Sequence, residues 1–96
     1  MRVKDISIRK HTAQAIEIPL SNVVLVIILA KKGYLMCGYL NIEAAEKMGD
    51  AACVIKGVKN AEELLAGKVS ALTSKAMKLG IKPGITGRKA LFRLLI

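Results

Sequence analysis

The feature that most constrains this chain is an uninterrupted apolar run at residues 23–30, with the sequence VVLVIILA. Lys31, Lys32 and Gly33 follow it, and a second apolar stretch occupies residues 34–40. A run that is apolar at every position is typical of a strand buried on both faces. The two stretches therefore predict a central antiparallel hairpin, with Gly33 taking a positive φ in its turn.

Alternation of apolar and polar residues predicts further strands. It is loose at residues 3–8 and strict at residues 13–18, where Pro19 ends the strand because proline cannot donate to a ladder. Residues 51–55 form another apolar strand. Residues 69–72 fit either a short strand or the start of a helix, and we favour the strand.

Helices are indicated mainly in the second half of the chain. Asn41, Asn60 and Thr86 are candidate N-caps, and Gly49, Gly67 and Gly80 follow helical stretches. The predicted helices span residues 42–48, 61–66, 73–79 and 87–95. Because strands dominate the first half and helices the second, the sequence predicts an α+β fold. We expect one domain over residues 1–96: a mostly antiparallel sheet of about five strands, built on the hairpin at 23–40, with short helices packed on it.

The chain has more apolar residues than the interior of a small domain can bury. Hydrophobic residues make up 53% of it, while aromatic residues make up only 3%. Part of that excess is expected on the surface, where the ordinary solution is an interface between identical copies. The composition therefore predicts a homo-oligomer, most simply a dimer.

The charge is strongly one-sided, with 16 basic and 7 acidic residues and a formal net charge of +9. No acidic residue follows Glu63, whereas basic residues continue to Arg93. This charge suits a small anionic ligand or nucleic acid, and it also simply favours solubility. Nucleic acid is the weaker reading, because only Tyr34, Tyr39 and Phe92 are available to stack on bases.

The sequence predicts a cytoplasmic protein with no membrane association. The first residues lack a signal-peptide core, and the run at 23–30 is far shorter than the ~20 residues of a spanning helix. Cys37 and Cys53 lack the spacing of a disulfide framework or metal site, and His11 is the single histidine. We therefore expect neither a metal nor a cofactor.

The first candidate site is the segment 84–89, a glycine-rich turn that opens the last predicted helix. Free backbone N–H groups and the positive end of the helix dipole favour an anion there. Gly84, Thr86, Gly87 and Arg88 are the predicted ligand-binding residues, and a bound anion would offset the unfavourable basic charge of the first turn. The competing interpretation is a Thr N-cap beside solvated basic residues.

The second candidate site is Cys37 with Gly38. A cysteine at the end of a strand, just before a helix N-terminus at Asn41, is a candidate nucleophile, with Gly38 beside it as a ligand-binding residue. No catalytic base is evident in the sequence apart from His11. A buried structural thiol is the competing interpretation, so an enzyme and a binding domain both stay open.

Three segments carry a resemblance to a family. They are residues 32–38, residues 57–65 and residues 79–91, with G-Y-x-M-C-G and L-G-I-x-x-G-x-[ST]-G-R-x-A-L as the most specific patterns. In order and spacing they resemble the YunC-like family, a small bacterial and archaeal domain of unknown function, over about residues 12–95. The resemblance implies a compact domain of strands and helices. It supplies no activity, but it aligns with the family pattern the residues of both candidate sites, which are Cys37, Gly38, Gly84, Thr86, Gly87 and Arg88.

Overall fold

A computed structural model describes all of residues 1–96 and shows a six-stranded sheet with four short helices. The strands are β1 (Arg2–Ile8), β2 (His11–Pro19), β3 (Val24–Leu29), β4 (Gly33–Cys37), β5 (Ala51–Ile55) and β6 (Ala71–Leu72). The helices are α1 (Ile42–Met48), α2 (Ala61–Ala66), α3 (Ser74–Lys78) and α4 (Gly87–Leu95). The strands lie side by side in chain order, and only β4 and β5 are parallel. The predicted α+β class is confirmed, with β6 as a sixth strand.

The main core lies between the sheet and one helical layer. α2 and α4 pack there against the middle strands, and fully buried Ile28 and Leu35 from the sheet meet Leu64 and Leu91 from the helices. On the opposite face, α1 packs on β5 and covers a smaller cluster of Met36, Ala45, Ala52 and Val54. The two helical layers are therefore unequal, and the second covers its face of the sheet only over β4 and β5.

The predicted helix ends are confirmed by their capping geometry. The Asn41 side chain accepts a hydrogen bond of 2.8 Å from the Glu43 N–H, and Gly49 ends α1 in the left-handed region with φ 79°. Asn60 accepts one of 2.8 Å from the Glu63 N–H at the start of α2. These ends were predictable because a cap depends only on residues within one turn.

The prediction that the 23–30 run is buried on both faces is wrong. Val26 and Ile28 are buried under the helical layer, but Leu25 and Ile27 are only half-buried on the other face. Leu29 on that face is 38% exposed. The reason is that α1 packs over β4 and β5, leaving the same face of β1–β3 without a covering helix.

The predicted positive φ at Gly33 is also wrong, because Gly33 is not among the residues in the left-handed region. This glycine begins β4 and lies against β5. A Cβ atom at Gly33 would lie 1.9 Å from the carbonyl oxygen of Ala51. The position therefore excludes a side chain because two backbones approach closely, a requirement that comes from the parallel pairing and not from the turn.

Glu17 is a buried carboxylate that connects the first hairpin to α2. Its Oε2 atom accepts a 2.8 Å hydrogen bond from the Ala61 N–H, and its side chain forms ion pairs with Arg2 and Lys4. We expect Glu17→Ala to lower the free energy of unfolding by about 2 kcal/mol, because it leaves a buried N–H without an acceptor. Urea denaturation measures this loss. Glu17→Gln keeps an acceptor and should cost clearly less; equal losses would contradict the hydrogen-bond explanation.

Candidate functional site

α4 carries its charge on the face opposite to the core. Thr86 caps it, with its hydroxyl oxygen accepting a 3.2 Å hydrogen bond from the Lys89 N–H. The residues buried on its inner side are Gly87, Ala90, Leu91, Leu94 and Leu95. The outer stripe contains Arg88, Lys89, Phe92 and Arg93. Residues three or four apart are neighbours on a helix, so Phe92 lies beside both Arg88 and Lys89, and Arg93 lies beside Lys89. The helix therefore presents three cations around one aromatic ring.

This outer stripe forms one wall of a cleft of about 480 Å³. The cleft is lined by Ile8, Arg9, Gly80, Ile85, Arg88, Lys89, Phe92 and Arg93. None of these residues is acidic, and the ion pairs of the protein involve only Arg2 and Lys4 among its 16 basic residues. Four cations therefore converge on the cleft without an internal counter-charge.

Arg9 enters the cleft from a strained turn. It forms the two-residue β1–β2 turn with Lys10, and their φ angles are 49° and 72°. A hairpin turn with two positive φ angles favours Asn-Gly, and residues with long side chains there cost of order 1 kcal/mol each. The Arg9 guanidinium carbon lies 5.1 Å from the centroid of the Phe92 ring. Such strain at a turn is typical of positions that carry a function.

The predicted residues of the 84–89 segment divide into two groups in the structure. Arg88 lines the cleft, whereas the Gly87 N–H donates a 2.8 Å hydrogen bond to the Gly67 carbonyl and the Gly84 N–H one of 2.8 Å to the Val69 carbonyl. With the Lys89 N–H bound to Thr86, most backbone donors of the segment already have acceptors. The geometry therefore favours side-chain cations over the helix start as the anion-binding groups.

Cys37 and Gly38 lie in a different cleft of about 200 Å³, so the structure does not bring Cys37 and Arg88 together. Cys37 is only 4% exposed, and its sulfur accepts a 3.4 Å hydrogen bond from the Val26 N–H. His11 lies against Phe92 of the other cleft, with ring centroids 6.2 Å apart. The role of Cys37 as a nucleophile stays a prediction for which this geometry supplies no base.

Cys53 is the second thiol, and it is fully buried between the sheet and the helical layer. Burial raises the pKa of this thiol to about 12, because the core disfavours the thiolate. This environment is that of a structural thiol in the core.

Arg9 lines the cleft, although it lies between the strands predicted at 3–8 and 13–18 and was not among the predicted binding residues. Its contact with Phe92 joins residues far apart in the chain, so no local pattern shows it. The one available signal was the pair of basic residues in a very short connection between two strands. Of the basic residues after Glu63, the cleft uses Arg88, Lys89 and Arg93.

None of the four helices combines the length and the hydropathy that a membrane crossing needs.

Comparison with known proteins identifies relatives both in sequence and in structure. A protein of Bacillus subtilis (strain 168), described as uncharacterized protein YunC, is 33% identical over 88 residues, covering 88% of this chain and 85% of that protein. A crystal structure of a protein of unknown function, TA1206 from Thermoplasma acidophilum, superposes with a TM-score of 0.93 and 38% identity, covering 97% of this chain and 91% of that one. The model of the DUF1805 family, a domain of unknown function, matches residues 36–94. The YunC-like resemblance is thus confirmed, and the chain belongs to the DUF1805 family.

Proposed function

We propose that this domain binds a small anionic ligand, phosphorylated or polycarboxylate, in the cleft between α4 and the β1–β2 turn. The observation that carries the proposal is the convergence of Arg9, Arg88, Lys89 and Arg93 without an acidic partner. Guanidinium groups are suited to phosphate and carboxylate because they donate two parallel hydrogen bonds.

The cost of this charge arrangement supports a bound anion. Lys89 and Arg93 are like charges one helical turn apart, and Arg88 and Lys89 place positive charge in the first turn of α4, where the helix dipole is also positive. Both features are mildly destabilising, by a few tenths of a kcal/mol each. An anion between the cations would reverse the sign of these interactions.

The shape of the cleft limits the class of ligand. Its volume of about 480 Å³ falls in the range of metabolite sites, which is roughly 300–1,000 Å³. Ile8, Ile85 and Phe92 give it an apolar surface beside the cations. The cleft therefore fits a molecule with an anionic group attached to a less polar body, and its four cations alone supply the binding groups for an inorganic anion.

Calorimetric titration with inorganic pyrophosphate tests the site. We expect Arg88→Ala to raise the dissociation constant by about 10-fold or more, because a charge-assisted hydrogen bond contributes about 1.5–3 kcal/mol. Lys89→Ala should weaken binding in the same direction. Lys47→Ala on α1 is the matched control, since it removes an exposed helical lysine outside the cleft. Absence of binding, or equal weakening by Lys47→Ala, would reject the site.

Replacing the turn residues separates function from stability. The double variant Arg9→Asn with Lys10→Gly should raise the free energy of unfolding by about 1 kcal/mol, because it relieves two positive φ angles. The same variant should weaken pyrophosphate binding, because it removes one of the four cations. Denaturation and calorimetry on one sample measure both effects. Unchanged affinity would remove Arg9 from the site.

Nucleic-acid binding stays an alternative use of the same charge. A single-stranded oligonucleotide that contacts several phosphates should lose affinity steeply with salt. Tight oligonucleotide binding together with negligible pyrophosphate binding would favour this alternative over the small ligand.

We also propose that the domain acts in the cytoplasm as a homodimer. Both cysteines are free thiols, which fits a reducing compartment. The exposed apolar residues of the sheet are the reason for proposing the dimer.

A further inference from the structure

One face of the sheet is apolar and largely uncovered. We call it the open face: the side of β1–β3 away from α2 and α4, formed by Val3, Ile16, Ile18, Leu25, Ile27 and Leu29. The strand register makes it continuous, because Val3 pairs with Ile16, Ile16 with Ile27, and Ile27 with Met36. An apolar row therefore starts at the free edge of the sheet and runs beneath α1 at Met36.

The open face is also free of basic residues. Along β1, β2 and β3, the other side chains on this side of the sheet are Asp5, Ser7, Thr12 and Gln14, so Asp5 is its single charge. In a chain of net charge +9, two copies repel each other over most of their surface. The open face is the region where the strands can approach a second copy without opposing cations. A nucleic acid or an anionic membrane would instead require basic residues there.

We propose that two copies of the chain pair through their open faces. This specifies the surface of the proposed homodimer and does not depend on the anion site. A two-fold axis places each apolar row against its own equivalent, as an isologous interface requires. Sheets that pack face to face lie about 10 Å apart. The diameter of α1 is similar to this separation. The partner's sheet can therefore lie on β1–β3 with its edge strand β1 next to α1.

The area of the open face limits how tightly two copies can pair. With strands about 4.8 Å apart and about 3.3 Å per residue, the face over β1–β3 measures roughly 15 by 20 Å in plan. Corrugation by side chains and the groove of about 450 Å³ beside α1, which Leu40 and Met48 line, add accessible surface. With these additions the total stays at or below the ~600 Å² per partner of the smallest specific interfaces. The expected dimer is therefore weak in affinity.

Sedimentation equilibrium of the full chain tests the surface with a matched pair of variants. Val3 on the open face is 49% exposed. Val23, which precedes β3 and lines a separate cleft with Gly57 and Val58, is 42% exposed. We expect Val3→Lys to raise the dimer dissociation constant at least tenfold and Val23→Lys to leave it unchanged. Leu29→Lys, with Leu20→Lys as its control, repeats the comparison at a second position. Added salt should tighten the wild-type dimer, because it screens the repulsion between the two cationic copies.

Two results would overturn the proposal in distinguishable ways. A wild-type chain that stays monomeric at high concentration, with or without added salt, removes both the dimer and its surface. A dimer that Val3→Lys and Leu29→Lys leave intact shows that the copies pair elsewhere. Circular dichroism of each variant confirms that it is folded, so that loss of the dimer is not mistaken for unfolding.

Discussion

Gly87→Ala is expected to lower the free energy of unfolding by about 3 kcal/mol, a large part of the stability of a domain of this size. A Cβ atom at Gly87 would lie 2.1 Å from the Leu64 carbonyl oxygen and 2.9 Å from the Ile55 Cδ1 atom. The backbone cannot easily move away, because the Gly87 N–H donates to the Gly67 carbonyl. The substitution therefore forces α4 away from α2, and urea denaturation measures the loss.

Gly38→Ala is the matched control for this experiment. The nearest atom to a Cβ at Gly38 is the Cγ of Lys56 at 3.2 Å, which belongs to a flexible side chain. We expect this variant to change stability by about 0.5 kcal/mol or less. Similar losses in the two variants would show that the close approach of α4 to α2 is not the cause.

Stability is expected to fall by about 2 kcal/mol between pH 8.5 and pH 10.5 because of Cys53. Burial raises the pKa of this thiol to about 12 in the folded chain, whereas an unfolded thiol titrates near 8.5. Between these values the unfolded chain releases a proton that the folded chain keeps. Rising pH therefore favours unfolding in this window, and the contribution is fully present below about pH 8.5.

The measurement compares wild type with Cys53→Ala by urea denaturation at several pH values. The variant should start less stable, because it leaves a small cavity, but it should lose less stability as pH rises. Burial and the 2.9 Å hydrogen bond to Asp50 also raise the pKa of Tyr34, and this effect is common to both chains. Parallel pH profiles would contradict the assignment to Cys53.

The parts of the fold that the sequence predicted are those that depend on neighbouring residues. Asn41, Thr86 and Gly49 fix helix ends through bonds within one turn, and strict alternation identified β2. The short strand β6 and helix α3 after it were also predicted, although residues 69–72 fitted both a strand and a helix pattern. The sheet class followed from the order of these elements.

The failures concern what lies on the far side of an element. β3 was correctly predicted as an inner strand of the sheet. However, an apolar run does not reveal whether helices cover both faces of a strand, so the predicted burial of its second face was wrong. Gly33 looked like a turn residue because the close approach of Ala51 arises only when β4 and β5 pair in parallel. The cleft was predicted only in part. Arg88 was identified from its motif, but Arg9 reaches the cleft only through tertiary packing on Phe92.

The cleft joins the two ends of the chain. Ile8 and Arg9 come from the first hairpin, and Arg88 and Arg93 from the last helix. A ligand held between them would act as a noncovalent cross-link that closes a loop of nearly the whole polypeptide. Closing a long loop reduces the conformational entropy that the chain gains on unfolding. Occupancy would thus slow fraying of the edge hairpin and detachment of the C-terminal helix together, and hydrogen exchange in these two distant segments would respond to one binding event.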